Sequence, residues 1–197
     1  MIGLMGAASL MGLLYSVVYD WRAGQVFFKT LCSLGFVLLA LSQGISSGYA
    51  WLILLGLICA AVGDVALMYR SDGAFMMGLG SFLLGHVLYT VAFARIGQPV
   101  VWAGLLVLAV SLALARWFWP HVGKWKVPGG AYVLVISLML FFALGVNRWE
   151  VWLGALLFYL SDIFVARERF MTPAKINPLL GLPLYYVGQY LLALSVQ

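Results

Sequence analysis

The chain has 197 residues, 65% of them hydrophobic and only 9% charged, with a formal net charge of +5. So little polar surface excludes a soluble domain, which must cover itself with far more of it. The basic residues are scattered and form no continuous stripe, which argues against nucleic acid as a partner. The chain therefore reads as an all-α, polytopic membrane protein, one integral membrane domain over residues 1–197.

Eight apolar runs are long enough to cross a bilayer: residues 2–19, 26–43, 49–69, 75–94, 100–118, 128–146, 150–166 and 178–196. No Lys or Arg precedes the first run and no small-residue cleavage site follows it, so it is read as a helix and not as a signal peptide. Span 2 has Lys29 near its start and carries Cys32; span 3 carries Cys59 and then Asp64, six residues before Arg70. The two thiols suggest small apolar side chains, not a disulfide or a metal cluster.

Span 4 places Gly78, Ser81 and Gly85 on one face, a surface that lets a neighbouring helix approach closely, with His86 beside it. Span 5 carries no such signal. Span 6 has Tyr132 near its start, and span 7 has Asp162 five residues before Arg167. In span 8, Tyr185 and Gln189 share a face at i and i+4, whereas Tyr186 and Tyr190 fall on another stripe and read as packing.

Alternate loops, beginning after span 1, hold Arg22, Lys29, Arg70, Arg116, Lys124, Lys126, Arg167, Arg169 and Lys175; the others hold only Arg95 and Arg148. This bias predicts both termini outside and the odd-numbered loops in the cytoplasm. At 1.5 Å per residue, Asp64 then lies roughly 9 Å inside the cytoplasmic end of its span. Asp162 matches it in span 7, and His86, Tyr132 and Gln189 fall in the same half or near the midplane. A charge at the bilayer centre costs about 2.5–3.5 kcal/mol even on the most forgiving scale, so such residues normally face a bundle interior or cavity.

Each of these residues also has a plainer reading. Asp64 and Asp162 can be helix-end carboxylates paired with Arg70 and Arg167, although an Asp near a helix C-terminus opposes the macrodipole. His86 and Gln189 can be inter-helix hydrogen-bonding groups, Tyr89 can be packing, and Lys29 can snorkel to the surface.

The segments "GDVALM" (63–68), "GLGSFLLGHVLYTVAF" (78–93), "GALLFYLSD" (154–162) and "LYYVGQYLLALS" (184–195) carry a family pattern, with "FFKT" (27–30) in place of a Lys-Pro. In order, spacing and number of spans the chain resembles the YhhN-type family, which includes lysoplasmalogenases. It departs at Thr30, where proline is usual, and at Gly188, where alanine is common. The resemblance implies an eight-helix fold and hydrolysis of the vinyl ether of 1-alkenyl lysophospholipids, giving an aldehyde and glycerophosphoethanolamine or glycerophosphocholine.

Vinyl ether hydrolysis protonates the outer alkene carbon and leaves an oxocarbenium ion that water captures. It needs a proton donor, a negative group near the cation and a base for water, as glycosidases achieve with two carboxyl groups. Asp64 and Asp162 are the candidates, sharing one proton, with His86 as shuttle or orienting group. Lys29 or Arg70 would meet the phosphate, Tyr132 would line the entrance, and Tyr185 and Gln189 would hold water or the glycerol oxygens.

No cofactor is expected. A zinc amidase is the rival hydrolase, but zinc sites draw on several His or Cys ligands and this chain has only His86 and His121. A small transporter using the aspartates as a proton or cation site is the non-enzymatic alternative, and a lipid-binding or structural bundle is the third. The bilayer and a lysophospholipid are the expected partners; oligomeric state is not legible. The predicted topology is checked by cysteine accessibility in intact cells: a cysteine at the C-terminus should label from outside and Lys124→Cys should not.

Overall fold

The computed structural model describes residues 2–69 and 71–197. Among them are eight α-helices: α1 (Ile2–Val18), α2 (Arg22–Ser42), α3 (Gly48–Ala66), α4 (Asp72–Ile96), α5 (Val101–Phe118), α6 (Lys126–Leu144), α7 (Trp149–Phe170) and α8 (Ile176–Leu194). A 3-10 turn, Gly123–Trp125, leads into α6. Helix ends follow local chemistry more than hydropathy. Ser47 and Ser71 cap α3 and α4 by accepting hydrogen bonds from the Ala50 and Ala74 amides at 3.1 Å. α2 begins four residues before its apolar run and α7 ends four residues after its own, because polar residues near an interface remain good helix formers.

Six helices, α2 to α7, are long and apolar enough to cross a membrane, α6 together with its 3-10 turn. The protein is thus a polytopic membrane protein. α1 has 17 residues. In α8, Asn177, Pro178, Pro183, Gln189 and three tyrosines dilute the hydropathy. Both helices nevertheless belong to the bundle: α8 packs on α1, α2, α3 and α7, and α1 packs on α2 and α8. α5 packs mainly on α6 and stands at the periphery.

Where helices lie closest, glycine sets the distance. A β-carbon on Gly85 would stand 3.2 Å from the Gly56 carbonyl oxygen, so α3 and α4 meet backbone to backbone, and the Ser81 hydroxyl donates to the Cys59 carbonyl at 2.6 Å. The same holds for α7 and α8 at Gly154 and Gly188, each of whose missing β-carbons would lie within 3.0 Å of the other's carbonyl oxygen. Without a hydrophobic drive between helices in lipid, such close packing is a main source of association.

The polar contacts sort into two ends. At one, Arg22 donates to the Met68 carbonyl at 3.2 Å, Lys124 and Arg169 bind the Asp72 carboxylate at 2.6 and 2.7 Å, and Lys175 binds Asp20 at 2.5 Å. At the other, Arg148 pairs with Glu150 and donates to the Ser195 and Gln197 carbonyls. Gly188→Val should therefore force α7 and α8 apart at a cost of about 1–3 kcal/mol, the range for overpacking. It should lower the melting temperature in detergent, whereas Gly80→Ala, which meets nothing within 4 Å, should not.

Candidate functional site

A cavity of about 1200 Å³ enters the bundle from the end that carries Arg22, Lys126 and Lys175. It reaches inward to Asp64, Ile136, Tyr159 and Tyr185, and both aspartates line it. Lys29, Tyr132 and Tyr185 are also in its wall.

Asp64 is 2% exposed, two residues before the end of α3, and is held from two other helices. Lys29 of α2 places its ammonium 3.2 Å from Oδ1. Oδ2 accepts from the Ser33 hydroxyl at 2.6 Å, Tyr185 at 2.8 Å and Tyr186 at 3.3 Å. Lys29 and Ser33 are four residues apart on one face of α2, and the adjacent tyrosines of α8 reach in beside them, the Tyr186 hydroxyl 3.5 Å from that of Ser33. Every partner is a donor, as a carboxylate that only accepts requires. Lys29 is therefore committed to Asp64 rather than snorkelling freely, with its side chain 16% exposed.

Asp162, on α7, has a sparser environment. Its Oδ2 accepts from the Tyr132 hydroxyl at 2.6 Å, and His86 Nε2 lies 3.8 Å away. His86 is fully buried, wedged against the Phe158 ring at a centroid distance of 4.4 Å and the Tyr132 ring at 5.1 Å. Its Nδ1 is 2.6 Å from the Phe82 carbonyl oxygen. A carbonyl only accepts, so Nδ1 carries the proton, and in the neutral ring Nε2 is left as an acceptor facing Asp162. Nε2 has no hydrogen-bond partner among the described residues. A protonated Asp162 would supply one with a small movement of either side chain.

The two aspartates thus share a cavity but not partners. One is approached by a cation and three hydroxyls, of which Tyr186 stands equally close to the Lys29 carbonyl at 3.3 Å; the other has one hydroxyl and a nearby imidazole. Gln189 is fully buried away from the cavity wall, one turn beyond Tyr185, where its amide oxygen accepts from Tyr89 at 2.8 Å. Arg70 lies outside the described residues.

Two of the Asp64 donors, Ser33 and Tyr186, carry no functional signal in the stripe reading of the sequence, in which Tyr186 falls on a packing face. The i, i+4 spacing of Ser33 from Lys29 was the available signal; Tyr186 had none, since whether a neighbour of Tyr185 also turns inward depends on helix rotation. Tyr89, read as packing, is a hydrogen-bond donor. Among the described residues no three His, Cys, Asp or Glu side chains converge as a metal site would need.

Residues 24–196 match the model of the YhhN family. The chain belongs to that family. Among relatives of this YhhN protein, lysoplasmalogenase TMEM86B of Sus scrofa is 34% identical over 185 residues, covering 90% of this chain and 76% of the pig protein. Lysoplasmalogenase TMEM86A of Bos taurus is 32% identical over 155 residues, 73% of this chain, which spans 64% of the bovine protein's length. A lysoplasmalogenase of Mycobacterium bovis is 31% identical over 173 residues, 82% of this chain and 65% of its own. No solved structure matches.

Since Lys29 compensates a buried carboxylate, Lys29→Met should destabilise the bundle by about 3 kcal/mol, the lower end for breaking a buried pair. Thermal melting in detergent should show this loss, and the double variant Lys29→Met with Asp64→Asn should recover most of it.

Proposed function

We propose that this protein is a lysoplasmalogenase, an ether hydrolase that cleaves 1-alkenyl lysophospholipids to a fatty aldehyde and a glycerophospho-headgroup. The observation that carries the reading is the pair of aspartates with unlike surroundings in one cavity, in a family whose relatives bear that name. In this reading all eight helices cross a bacterial inner membrane as one domain, with both termini outside and the cavity open to the cytoplasmic side. The concentration of basic residues at the cavity's end of the bundle supports this orientation, and a mycobacterial relative supports the bacterial setting.

Asp162 is the acid in this mechanism. Its proton passes to the outer alkene carbon, where a C–H bond forms from the π electrons, and the inner carbon becomes part of an oxocarbenium ion. Asp64, paired with Lys29 and hydrogen-bonded by Ser33 and Tyr185, faces that cation and stabilises it. Water adds to the inner carbon as Asp162, now a carboxylate, accepts its proton. The hemiacetal then loses its hydroxyl proton, the glycerol oxygen gains one, and the carbon–oxygen bond breaks to release aldehyde and alcohol. His86 positions Asp162, Tyr132 orients the same carboxyl group, and Tyr185 fixes Asp64. Gln189 acts from behind, bracing α8 against α4 through Tyr89. No cofactor enters the scheme.

Mass spectrometry of lipids incubated with the purified protein tests this. It should show aldehyde from a 1-alkenyl lysophospholipid, no cleavage of the saturated ether, and activity that survives a chelator. In D₂O the aldehyde should carry one deuterium beside its carbonyl carbon, the mark of proton transfer to carbon. Asp64→Asn and Asp162→Asn should each cost at least about 100-fold in turnover, the low end for general acid–base catalysis. Folded Asn variants with wild-type turnover would remove the carboxylate mechanism. Wild-type protein that releases no aldehyde but moves protons into liposomes would be a transporter instead.

A further inference from the structure

Five cationic side chains line the cavity among the described residues: Lys29 deep within it, and Arg22, Lys126, Arg169 and Lys175 nearer its mouth. Three are committed to carboxylates, Lys29 to Asp64 at 3.2 Å, Arg169 to Asp72 at 2.7 Å and Lys175 to Asp20 at 2.5 Å. Arg22 and Lys126 have no acidic partner among the described residues. Lys126 lies over the Trp119 ring, 5.6 Å from its centroid. Arg22 gives one N–H to the Met68 carbonyl at 3.2 Å, which leaves most of its five donors available to a ligand.

Arg22 stands on the same wall of the cavity as the Asp64 ion pair. Arg22, Gln25 and Lys29 recur at i, i+3 and i+7 along one face of α2, and all three line the cavity. Arg22 is seven residues nearer the mouth than Lys29, about 10 Å along the helix axis. In a 1-alkenyl lysophospholipid six bonds separate the ether's inner alkene carbon from phosphorus, about 7 Å when extended. A phosphate joined to a carbon that reacts beside Asp64 therefore falls within reach of the Arg22 guanidinium.

The wall opposite offers Lys126 at a similar height above Tyr132, and the order of atoms in the substrate decides between the two. The carbon that becomes cationic bears the glycerol oxygen, so glycerophosphate departs from the Asp64 side. The outer alkene carbon, which bears the hydrocarbon chain, faces the donor Asp162, where Leu114 and Ile136 provide an apolar continuation of the cavity. A guanidinium also presents paired N–H groups that match two phosphate oxygens, which an ammonium does not.

We propose that Arg22 binds the phosphodiester of a lysophospholipid and sets the register of the ether bond against the two aspartates, while Lys29 stays with Asp64. The inference rests on the hydrolase reading for the position of the reacting carbon. Its test does not depend on turnover. Binding of the uncleavable 1-alkyl-glycerophosphoethanolamine and of 1-alkylglycerol, which lacks the phosphate, is measured by titration calorimetry with the full-length protein in micelles.

Wild-type protein should prefer the phosphate-bearing lipid by about 10-fold or more, the value of a charge-assisted hydrogen bond. Arg22→Gln should abolish that preference without changing 1-alkylglycerol binding, Arg22→Lys should retain part of it, and Lys126→Gln should leave it intact. The proposal is overturned if Arg22→Gln keeps the preference, if it weakens both ligands equally, if Lys126→Gln removes the preference, or if the wild type binds neither lipid. Displacement of the lipid by millimolar inorganic phosphate would assign the site to the free anion and overturn the lipid assignment. A protein that keeps the Arg22-dependent preference yet never releases aldehyde would retain the phosphate site and lose the proposed reaction.

Discussion

The structure depends on the burial of the Asp64 carboxylate. An ionised carboxyl group inside a membrane bundle is tolerated only if it is paired and hydrogen-bonded. Here that requires the ammonium of Lys29 and the hydroxyls of Ser33, Tyr185 and Tyr186 at 2.6–3.3 Å. Those donors come from α2 and α8, so satisfying one side chain of α3 brings three helices to one point. The small residues of the bundle make this convergence possible. Gly154 and Gly188 bring α8 against α7, and Gly56 and Gly85 bring α4 against α3. The same two contacts set the positions of the helices that carry Asp162 and His86.

That constraint also separates the two aspartates. Oδ2 of Asp64 is crowded by hydroxyl donors, and its Oδ1 faces the Lys29 ammonium at 3.2 Å. Asp162 has one donor and faces a ring nitrogen that needs a proton, with the tautomer set by the Phe82 carbonyl at 2.6 Å. In the proposed mechanism this difference in partners divides the labour between the two aspartates. It resembles the way unlike surroundings separate paired carboxyl groups in soluble hydrolases.

The cavity has a matching polarity. Its mouth is ringed by cations, two of them held by carboxylates, and its deeper arm beyond Tyr132 is closed by a hydrogen-bonded group. Tyr159 and Ser111 lie 2.8 Å apart, and Ser111 lies 2.7 Å from Ser137, tying α5, α6 and α7 together just past the last lining residues. These hydrogen bonds add to the packing of α5 on α6 at the buried Ala103 and Val107. In the proposed reaction the charged headgroup and the single hydrocarbon chain of the substrate take opposite ends of that space.

Sequence alone determined the membrane class, the eight helices to within a few residues and the basic end of the bundle, because each follows from local hydropathy and charge. It also singled out Asp64, Asp162 and His86, since ionisable groups in apolar runs are costly and few. Segment length was less decisive: eight runs were read as spans, while α1 and α8 are too short or too polar to be counted with the six clear ones. Only the tertiary structure decided which donors serve which aspartate. Helix rotation and interhelical distance determine that Tyr186 turns inward beside Tyr185, that Ser33 reaches Asp64, that Lys29 is spent on a carboxylate, and that Gln189 faces Tyr89 rather than the cavity. Those quantities are set by backbone contact between glycines far apart in sequence, and a local pattern such as the small-residue face of span 4 names one partner of such a contact but not the other.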